Sequence, residues 1–303
     1  MNYRHAFHAG NFADVLKHAA LARILLHLCT KPTAFHVIDT HSGAGLYDLT
    51  GPEASRTGEW SYGIGRLRAA PLAPEIVSLL APYLEAVAAF NPGETLERYP
   101  GSPLLALRLM RAQDRLTACE LEPAAAIALK RALAGDPRAT SVVIDGWVAL
   151  KAYLPPKERR GLVLIDPPFE QPDEFSRLAH AIVNAWRKWA TGVYMLWYPI
   201  KDRRAAAAFA RALTARAMPK ILRAELDVGA SETELGAAGL ILVNPPWRLA
   251  AAGRRTEGPA RSARSASCAR PGRRIPRRLA ARRKLGRFQS DDARPLCRPR
   301  PLC

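Results

Sequence analysis

The sequence is poor in the features that mark secreted, zinc-bound or membrane-spanning proteins. Only five of its 303 residues are cysteine, and no two of them form a CxxC pair. That spacing contains no readable zinc site or disulfide framework and favours a reducing compartment. No uncharged stretch reaches the ~18 apolar residues of a membrane span. Arg4, Asp14, Lys17 and three histidines stand within the first 18 residues, so no signal peptide is expected and a cytoplasmic location is predicted.

Aromatic and large apolar residues are scarce after Trp247. Residues 248–303 carry 17 basic and 3 acidic side chains, whereas residues 1–247 carry 28 and 24. The part expected to fold is therefore only mildly basic, which permits a nucleic-acid partner without demonstrating one. Residues 250–303 contain 15 Arg, 10 Ala and 6 Pro, so this tail is predicted to be disordered. Two origins stay open, a genuine Arg-rich RNA-binding tail and a slipped reading frame in a GC-rich gene. The abrupt change favours the second.

Short apolar runs alternate with amphipathic stretches between residues 35 and 247. Seven runs are predicted to be strands, at residues 35–39, 116–120, 141–144, 161–165, 192–197, 221–226 and 239–243. The helical patterns between most of them predict βαβ units and a largely parallel sheet. The gap between the last two runs is too short for a helical crossover, so an antiparallel hairpin is expected there. The sequence thus predicts an α/β, Rossmann-like fold of the class I methyltransferase type. Its seven-stranded sheet is mostly parallel, with the last strand antiparallel.

Helical patterns precede and interrupt the predicted sheet. Asn11 is expected to cap a helix over residues 11–29, whose apolar face carries Phe12, Val15, Leu16, Ala19 and Leu26. Residues 46–100 form an insertion with a helical pattern at 73–90, and Pro103 opens a further helix over 104–111. We therefore expect a methyltransferase domain over residues 1–249 with a small helical insertion at about 46–100, followed by the tail at 250–303.

A glycine-containing loop directly follows the first predicted strand. It reads DTHSGAG at residues 39–45, and its glycines allow a tight turn against which a ligand can lie. The loop lacks the full GxGxxG pattern, so a plain turn is the alternative. Glu120 ends the second predicted strand, where a carboxylate can accept hydrogen bonds from both ribose hydroxyls of an adenosine cofactor. The insertion explains its wide separation from the loop, and Glu122 is a rival that lies past the strand end.

Asp145 and Gly146 follow the third predicted strand. In this architecture an acidic side chain at that point reaches the adenine amine of the cofactor. An acidic turn residue with no such contact is the alternative reading.

The most specific motif is DPPF at residues 166–169, at the end of the fourth predicted strand. It suits methylation of an exocyclic amine, which is a poor nucleophile because its lone pair is delocalised into the ring. Asp166 and the carbonyl of Pro167 can accept the two N–H bonds of that amine, and the prolines leave no competing N–H. Phe169 offers a ring on which a flipped base can stack, worth ~1–3 kcal/mol.

A second copy of this pattern, NPPW at residues 244–247, follows the last predicted strand. That strand is expected far from the loop after strand one, so Asn244 is the weaker candidate.

The segment from Tyr3 to Asn11 is also unusual, because it combines aromatic rings, imidazoles and one arginine. Stacking on RNA and phosphate contact are both compatible with it.

Together these motifs resemble the RlmJ family of bacterial 23S rRNA adenine-N6 methyltransferases. The resemblance spans about residues 1–249 and rests on YRHAFHAGNFADVLKH, DTHSGAG, RTGEW, YPGSPLLA, RRGLVLIDPPFE, LWYPI and NPPW. It implies S-adenosylmethionine (SAM) as methyl donor and an adenine in 23S rRNA as acceptor. The insertion matches the small helical subdomain of the family. This chain departs from the family in carrying Phe169 where Tyr is more frequent, and in the Arg-rich tail that replaces a further helix and strand.

The resemblance also implies roles for individual residues. By motif match, the cofactor contacts of the family fall on His18, His41, Ser102, Glu120, Asp145, Gly146 and Asp166. Its catalytic acidic residue falls on Asp166, and its RNA contact near the start falls on Tyr3. With Pro167 and Phe169, Tyr3 completes the predicted substrate contacts.

Two other classes of function are alternatives to this one. A DNA amine methyltransferase shares the DPPF chemistry but should carry a large DNA-recognition block, which the sequence does not show. A non-catalytic RNA-binding protein would need no ordered SAM site. We therefore expect an rRNA adenine-N6 methyltransferase that acts as a monomer, without metal or membrane, on 23S rRNA that is free of protein or partly assembled.

Overall fold

The computed structural model describes residues 4–216, 218, 220–229 and 235–246. The strands are β1 (His36–Asp39), β2 (Leu46–Asp48), β3 (Arg98–Pro100), β4 (Arg115–Glu120), β5 (Ala139–Val143), β6 (Gly161–Ile165), β7 (Val193–Pro199), β8 (Ile221–Asp227) and β9 (Ala237–Val243). The α-helices are α1 (Phe12–Cys29), α2 (Pro52–Thr57), α3 (Arg66–Ala69), α4 (Pro74–Ala88), α5 (Ser102–Leu109), α6 (Pro123–Ala132), α7 (Gly146–Ala152), α8 (Glu174–Lys188) and α9 (Arg203–Thr214). A 3₁₀ turn at His5–Phe7 and a π-helical turn at Ser61–Gly65 complete the described elements.

Seven of the strands form one sheet in the order β5-β4-β1-β6-β7-β9-β8. The first five of these are parallel, and β9 lies antiparallel between β7 and β8. All seven predicted strands are present, and the class I methyltransferase fold is confirmed. The parallel strands are mostly apolar along their length because helices cover both faces of the sheet.

Helix α1 begins where the sequence predicts. The side-chain oxygen of Asn11 accepts hydrogen bonds from the backbone N–H groups of Ala13 and Asp14, both at 3.0 Å. The predicted apolar face is partly buried, since Phe12, Val15, Leu16, Ala19 and Leu26 are all half-buried and three of them pack against the core. The fully buried face includes Asp14, Lys17 and His18. Helix α1 packs against α4, α5 and the π-helical turn as well as the sheet, so apolar residues are needed on more than one side.

The segment between β1 and α5 contains an antiparallel pair, β2 and β3, and the helices α2, α3 and α4. Helix α4 lies within the predicted helical pattern at 73–90, and α5 starts two residues before the predicted position. Tyr83 on α4 and Tyr99 on β3 are among the largest fully buried side chains. This segment therefore packs into the same apolar core as α1 and one face of the sheet.

Some sequence predictions concern residues outside the described ranges. These are the RNA contact at Tyr3, the last motif residue Trp247 and the disordered tail at 250–303. Within the described ranges, none of the helices combines the length and the apolar character that a membrane crossing requires.

Candidate active site

The motifs meet at one edge of the sheet because their strands are parallel neighbours. Strands β5, β4, β1 and β6 are adjacent and point the same way, so their carboxyl ends lie side by side. The DTHSGAG loop, Glu120, Asp145 and Asp166 each follow or end one of these strands. This edge is where open α/β sheets bind their ligands.

Glu120 is held against the glycine loop by backbone amides. Its Oε2 accepts a hydrogen bond from the N–H of Gly43 at 2.8 Å, and its Oε1 accepts from the N–H groups of Leu121 and Glu122, each at 2.8 Å. Gly43 and Gly45 adopt positive φ angles of 62° and 80°. A Cβ on Gly43 would lie 2.1 Å from the hydroxyl of Tyr47, so the turn needs glycine. The loop and the acid predicted to act together are therefore in direct contact.

His41 and Gly146 bring the loops after β1 and β5 together. A Cβ on Gly146 would lie 2.4 Å from the carbonyl oxygen of Thr40 and 2.6 Å from the His41 ring, which explains the glycine. Nδ1 of His41 lies 2.8 Å from the hydroxyl of Thr40, and its ring packs edge-on against Trp147. Burial lowers the pKa of His41 to about 4, so this imidazole is neutral near pH 7.

Asp145 combines a structural role with an available oxygen. Its Oδ1 accepts hydrogen bonds from the N–H groups of Trp147 and Val148 and caps α7. Its Oδ2 lies 3.7 Å from the guanidinium of Arg177, which also stacks over the Trp147 ring at 4.8 Å. Oδ1 of Asp145 therefore has the structural role of an acidic turn residue. Oδ2 lies outside the helix cap, so it is the oxygen to which the predicted contact with the adenine amine applies.

Ser102 contacts a buried acid rather than a solvent-facing group. Its hydroxyl donates a hydrogen bond to Oδ2 of Asp39 at 2.6 Å. Burial raises the pKa of Asp39 to about 7, partly offset by that hydrogen bond. Oδ1 of Asp39 is buried and has no hydrogen-bond partner among the described residues. A ligand at this edge would therefore meet an acid that is poised to change its protonation state near neutral pH.

His18 is buried on α1 beneath the insertion. Its Nδ1 lies 2.7 Å from the hydroxyl of Tyr99, and the two rings are stacked with centroids 5.6 Å apart. The hydroxyl of Tyr99 is in turn 3.0 Å from that of Tyr83. Burial lowers the pKa of His18 to about 3, so its ring is neutral.

Lys17 joins α1 to the DPPF motif. Its ammonium forms ion pairs with Asp166 and, at 2.8 Å, with Asp14. Asp14 also accepts a hydrogen bond from the N–H of Gly10 at 2.8 Å and lies 3.0 Å from Nε2 of His5. Burial alone would lower the pKa of Lys17, but the carboxylates of Asp14 and Asp166 outweigh it and raise that pKa well above its ordinary value. The cation beside Asp166 is therefore permanent.

The sequence reasoning assigned no role to Lys17, Asp14 or Asp39. The available signal for the first two was a pair of opposite charges at i and i+3 within a largely apolar helix. Burial of such an ion pair costs desolvation free energy, which further ion pairs or hydrogen bonds must offset. Here the ion pair of Lys17 with Asp166 contributes to that offset. For Asp39 the signal was its position as the last residue of a short, buried strand.

Phe169 is held by neighbouring aromatic residues. Its backbone has a φ of 51°, and its ring packs edge-on against Phe175 and Trp197, with centroids 5.1 and 5.7 Å apart. The side chain is half-buried, so part of its surface remains exposed.

Asn244 of the second motif lies at the opposite edge of the sheet. Strand β9 runs antiparallel, so its carboxyl end meets the amino ends of β7 and β8. The side-chain amide of Asn244 donates to the carbonyls of Ala190 and Gly192, both at 2.8 Å. Asn244 therefore stabilises the segment just before β7, at the sheet edge opposite to the one that carries Asp166.

The sheet order, the antiparallel β9 and the motifs grouped at one edge define a class I methyltransferase. A family model described as "Ribosomal RNA large subunit methyltransferase D, RlmJ" matches residues 32–257. The chain belongs to this RlmJ family of ribosomal RNA methyltransferases.

Individual relatives agree with that membership. Proteins named Ribosomal RNA large subunit methyltransferase J from Haemophilus influenzae and Escherichia coli are each 42% identical to this chain. Both alignments cover 82% of this chain and 89% of the relative. The crystal structure of protein LPL1258 from Legionella pneumophila is similar with a TM-score of 0.73 and 34% identity, covering 82% of this chain and 90% of that one.

Proposed function

We propose that this protein transfers a methyl group from SAM to the N6 amine of an adenine in 23S rRNA. The observation that carries the proposal is the position of Asp166, which directly follows the strand beside β1 and its glycine loop and is paired with Lys17. Family membership supports ribosomal RNA as the substrate class. The DPPF chemistry supports an exocyclic amine as the acceptor.

The residues at this edge fit SAM as the cofactor. The carboxylate of Glu120 is oriented by three backbone amides and retains lone pairs for ribose hydroxyls. Asp145 keeps one oxygen out of the helix cap, and Oδ1 of Asp39 is a buried acceptor without a partner among the described residues. His18, His41, Ser102 and Gly146 complete the proposed cofactor site. Bound SAM would supply a methyl group activated by its sulfonium.

Asp166 would act on the acceptor amine as a fixed hydrogen-bond acceptor. The ion pair with Lys17 uses its Oδ2, so Oδ1 is the oxygen that can accept an N–H of the adenine amine. The carbonyl of Pro167 would accept the other N–H and make the nitrogen more nucleophilic. Positioning then supplies much of the rate enhancement, because the amine and the methyl group are held in line. The proton lost after transfer leaves to Asp166, or to water through it.

Phe169 would hold the target base in place. The flipped adenine stacks on the exposed part of its ring, a contact worth ~1–3 kcal/mol. The rings of Phe175 and Trp197 prevent Phe169 from turning away, so the stacking surface is prepared in advance.

The direct test is mass mapping of 23S rRNA after incubation with the protein and SAM. We expect one N6-methyladenine in protein-free 23S rRNA and none with the Asp166→Asn variant. Parallel reactions with duplex DNA and with assembled large subunits identify the substrate and its assembly stage. Methylation of DNA but not rRNA would contradict the proposal, as would full activity of the Asp166→Asn variant.

A further inference from the structure

A buried chain of hydrogen bonds links the helical insertion to His18. It runs from the hydroxyl of Tyr83 on α4 to the hydroxyl of Tyr99 on β3, at 3.0 Å, and then to Nδ1 of His18 on α1, at 2.7 Å. Both tyrosines are 0% exposed and His18 is 2% exposed. The chemistry proposed above uses neither phenol, although both are fully buried and hydrogen-bonded in series with His18.

The number of protons on Tyr83, Tyr99 and His18 favours one direction for the hydrogen bonds between them. Burial raises the pKa of both phenols far above neutral and lowers that of His18 to about 3, so each group carries one titratable proton at pH 7. If Nδ1 of His18 accepts, Tyr99 donates to it and Tyr83 donates to Tyr99. Both phenols and Nδ1 are then satisfied, and Nε2 is not among the buried side-chain atoms that lack a partner in the described part of the protein.

The opposite arrangement leaves a buried donor without an acceptor. If Nδ1 of His18 carried the proton, it would donate to Tyr99, and Tyr99 would donate to Tyr83. The O–H of Tyr83 would then lack an acceptor, since Tyr99 is its only hydrogen-bond partner among the described residues. A buried unsatisfied hydroxyl costs about 1–3 kcal/mol, which corresponds to roughly a 5- to 150-fold preference for the first arrangement.

We propose that Tyr83 and Tyr99 fix His18 as the neutral tautomer with its proton on Nε2, so that His18 presents an N–H donor to the carboxylate of the amino-acid end of SAM. That end carries a carboxylate, which only accepts hydrogen bonds, and an ammonium, which only donates them. A fixed donor therefore selects the carboxylate. Tyr99 is a positioning residue in this scheme, and the cofactor half of the inference rests on the proposed function.

The tautomer can be read directly by nuclear magnetic resonance. Long-range ¹H–¹⁵N correlation of protein labelled at its seven histidines distinguishes a protonated Nε2 from a protonated Nδ1. The signal of His18 is assigned with a His18→Gln variant. We expect protonated Nε2 in the wild-type protein without ligand and in Tyr83→Phe, where Tyr99 still donates. A His18 protonated on Nδ1 would overturn the inference.

Calorimetry with SAM tests the consequence for binding. Tyr99→Phe removes the donor to Nδ1, so we expect about tenfold weaker binding and a mixture of His18 tautomers. Tyr194→Phe is the matched control, because Tyr194 is equally buried but donates to the carbonyls of Ala185 and Trp189 in the other core cluster. Its affinity for SAM should stay unchanged.

The failures of the two proposals are distinguishable. A folded wild-type protein that binds no SAM contradicts the proposed function and the cofactor half of this inference, while the resonance experiment still decides the tautomer. Wild-type SAM binding that is unaffected by Tyr99→Phe contradicts the positioning role alone. If Tyr99→Phe does not fold, the wild-type and Tyr83→Phe tautomers decide the outcome.

Discussion

The ammonium of Lys17 and the carboxylate of Asp166 form a buried ion pair between residues 149 positions apart in the chain. Lys17 lies in the second turn of α1, and Asp166 begins the motif that follows β6. The side chain of Lys17 is 5% exposed and that of Asp166 is 16% exposed. The pair therefore ties the N-terminal helix to the residue that the proposed reaction needs most.

Removing this cation should be costly. Lys17→Met leaves two carboxylates, Asp14 and Asp166, without their shared partner, and we expect a loss of about 3–5 kcal/mol in unfolding free energy. Lys188→Met is the control, because that lysine is exposed, and its effect should stay within about 0.5 kcal/mol. Urea denaturation measures both. In an Asp166→Asn background the cost of Lys17→Met should shrink, and strictly additive costs would argue against the pair.

Glu120 should matter for the cofactor and its neighbour Glu122 should not. We expect Glu120→Ala to weaken SAM binding by about 2–4 kcal/mol, the worth of two hydrogen bonds to ribose. Glu122 accepts from the N–H groups of Ala124 and Ala125 and caps α6. Glu122→Ala should thus cost about 1 kcal/mol of stability without changing affinity. Calorimetry and thermal unfolding of both variants separate the two effects, and equal affinity losses would refute the assignment.

Asp39 should make stability fall as pH rises toward neutral. Its folded pKa is about 7 against an ordinary 3.8, so between these values the folded state keeps a proton that the unfolded state has lost. Unfolding free energy from this group then decreases by about 1.4 kcal/mol per pH unit across that window. Asp39→Asn removes this titration.

The pH dependence is best measured as a difference between two proteins. Denaturation of wild type and Asp39→Asn at pH 5, 6 and 7 cancels the contributions of other groups. The stability of the variant relative to wild type should increase with pH. A difference that stays constant from pH 5 to 7 would show that Asp39 does not titrate there.

Asn244 should support folding without supporting catalysis. Asn244→Ala removes two hydrogen bonds to the start of β7 and places alanine at a φ of 54°, so we expect about 1–3 kcal/mol of destabilisation. Asn244→Gly should be milder, because glycine adopts this backbone angle freely. Folded protein of both variants should methylate RNA at the wild-type rate. An inactive but folded Asn244→Ala protein, beside an active Asp166→Asn protein, would reverse the assignment of the two motifs.

Phe169 should contribute through its ring rather than through a polar group. Phe169→Tyr keeps the stacking surface and should be nearly neutral for turnover. Phe169→Ala removes it and should raise the apparent KM for RNA, with a loss of about 1–3 kcal/mol. Steady-state methylation assays with SAM in excess test both, and an unimpaired Phe169→Ala enzyme would exclude base stacking at this position.

The sequence by itself determined the strands, the hairpin of β8 and β9, and the chemistry of DPPF. These features are local, since each depends on apolar runs, on gap lengths or on the restricted backbone of two consecutive prolines. The adjacency of Glu120 to the glycine loop was also predictable, because neighbouring parallel strands place their carboxyl ends together.

Only the tertiary structure decided which face of α1 is buried and which residues it brings to the site. Apolar residues occur around most of that helix, so periodicity could not show that Asp14, Lys17 and His18 point inward. The contacts of Lys17 with Asp166 and of His18 with Tyr99 join residues 149 and 81 positions apart. Such pairs depend on how whole elements dock against one another, and that docking is set by packing of the complete core rather than by any local pattern.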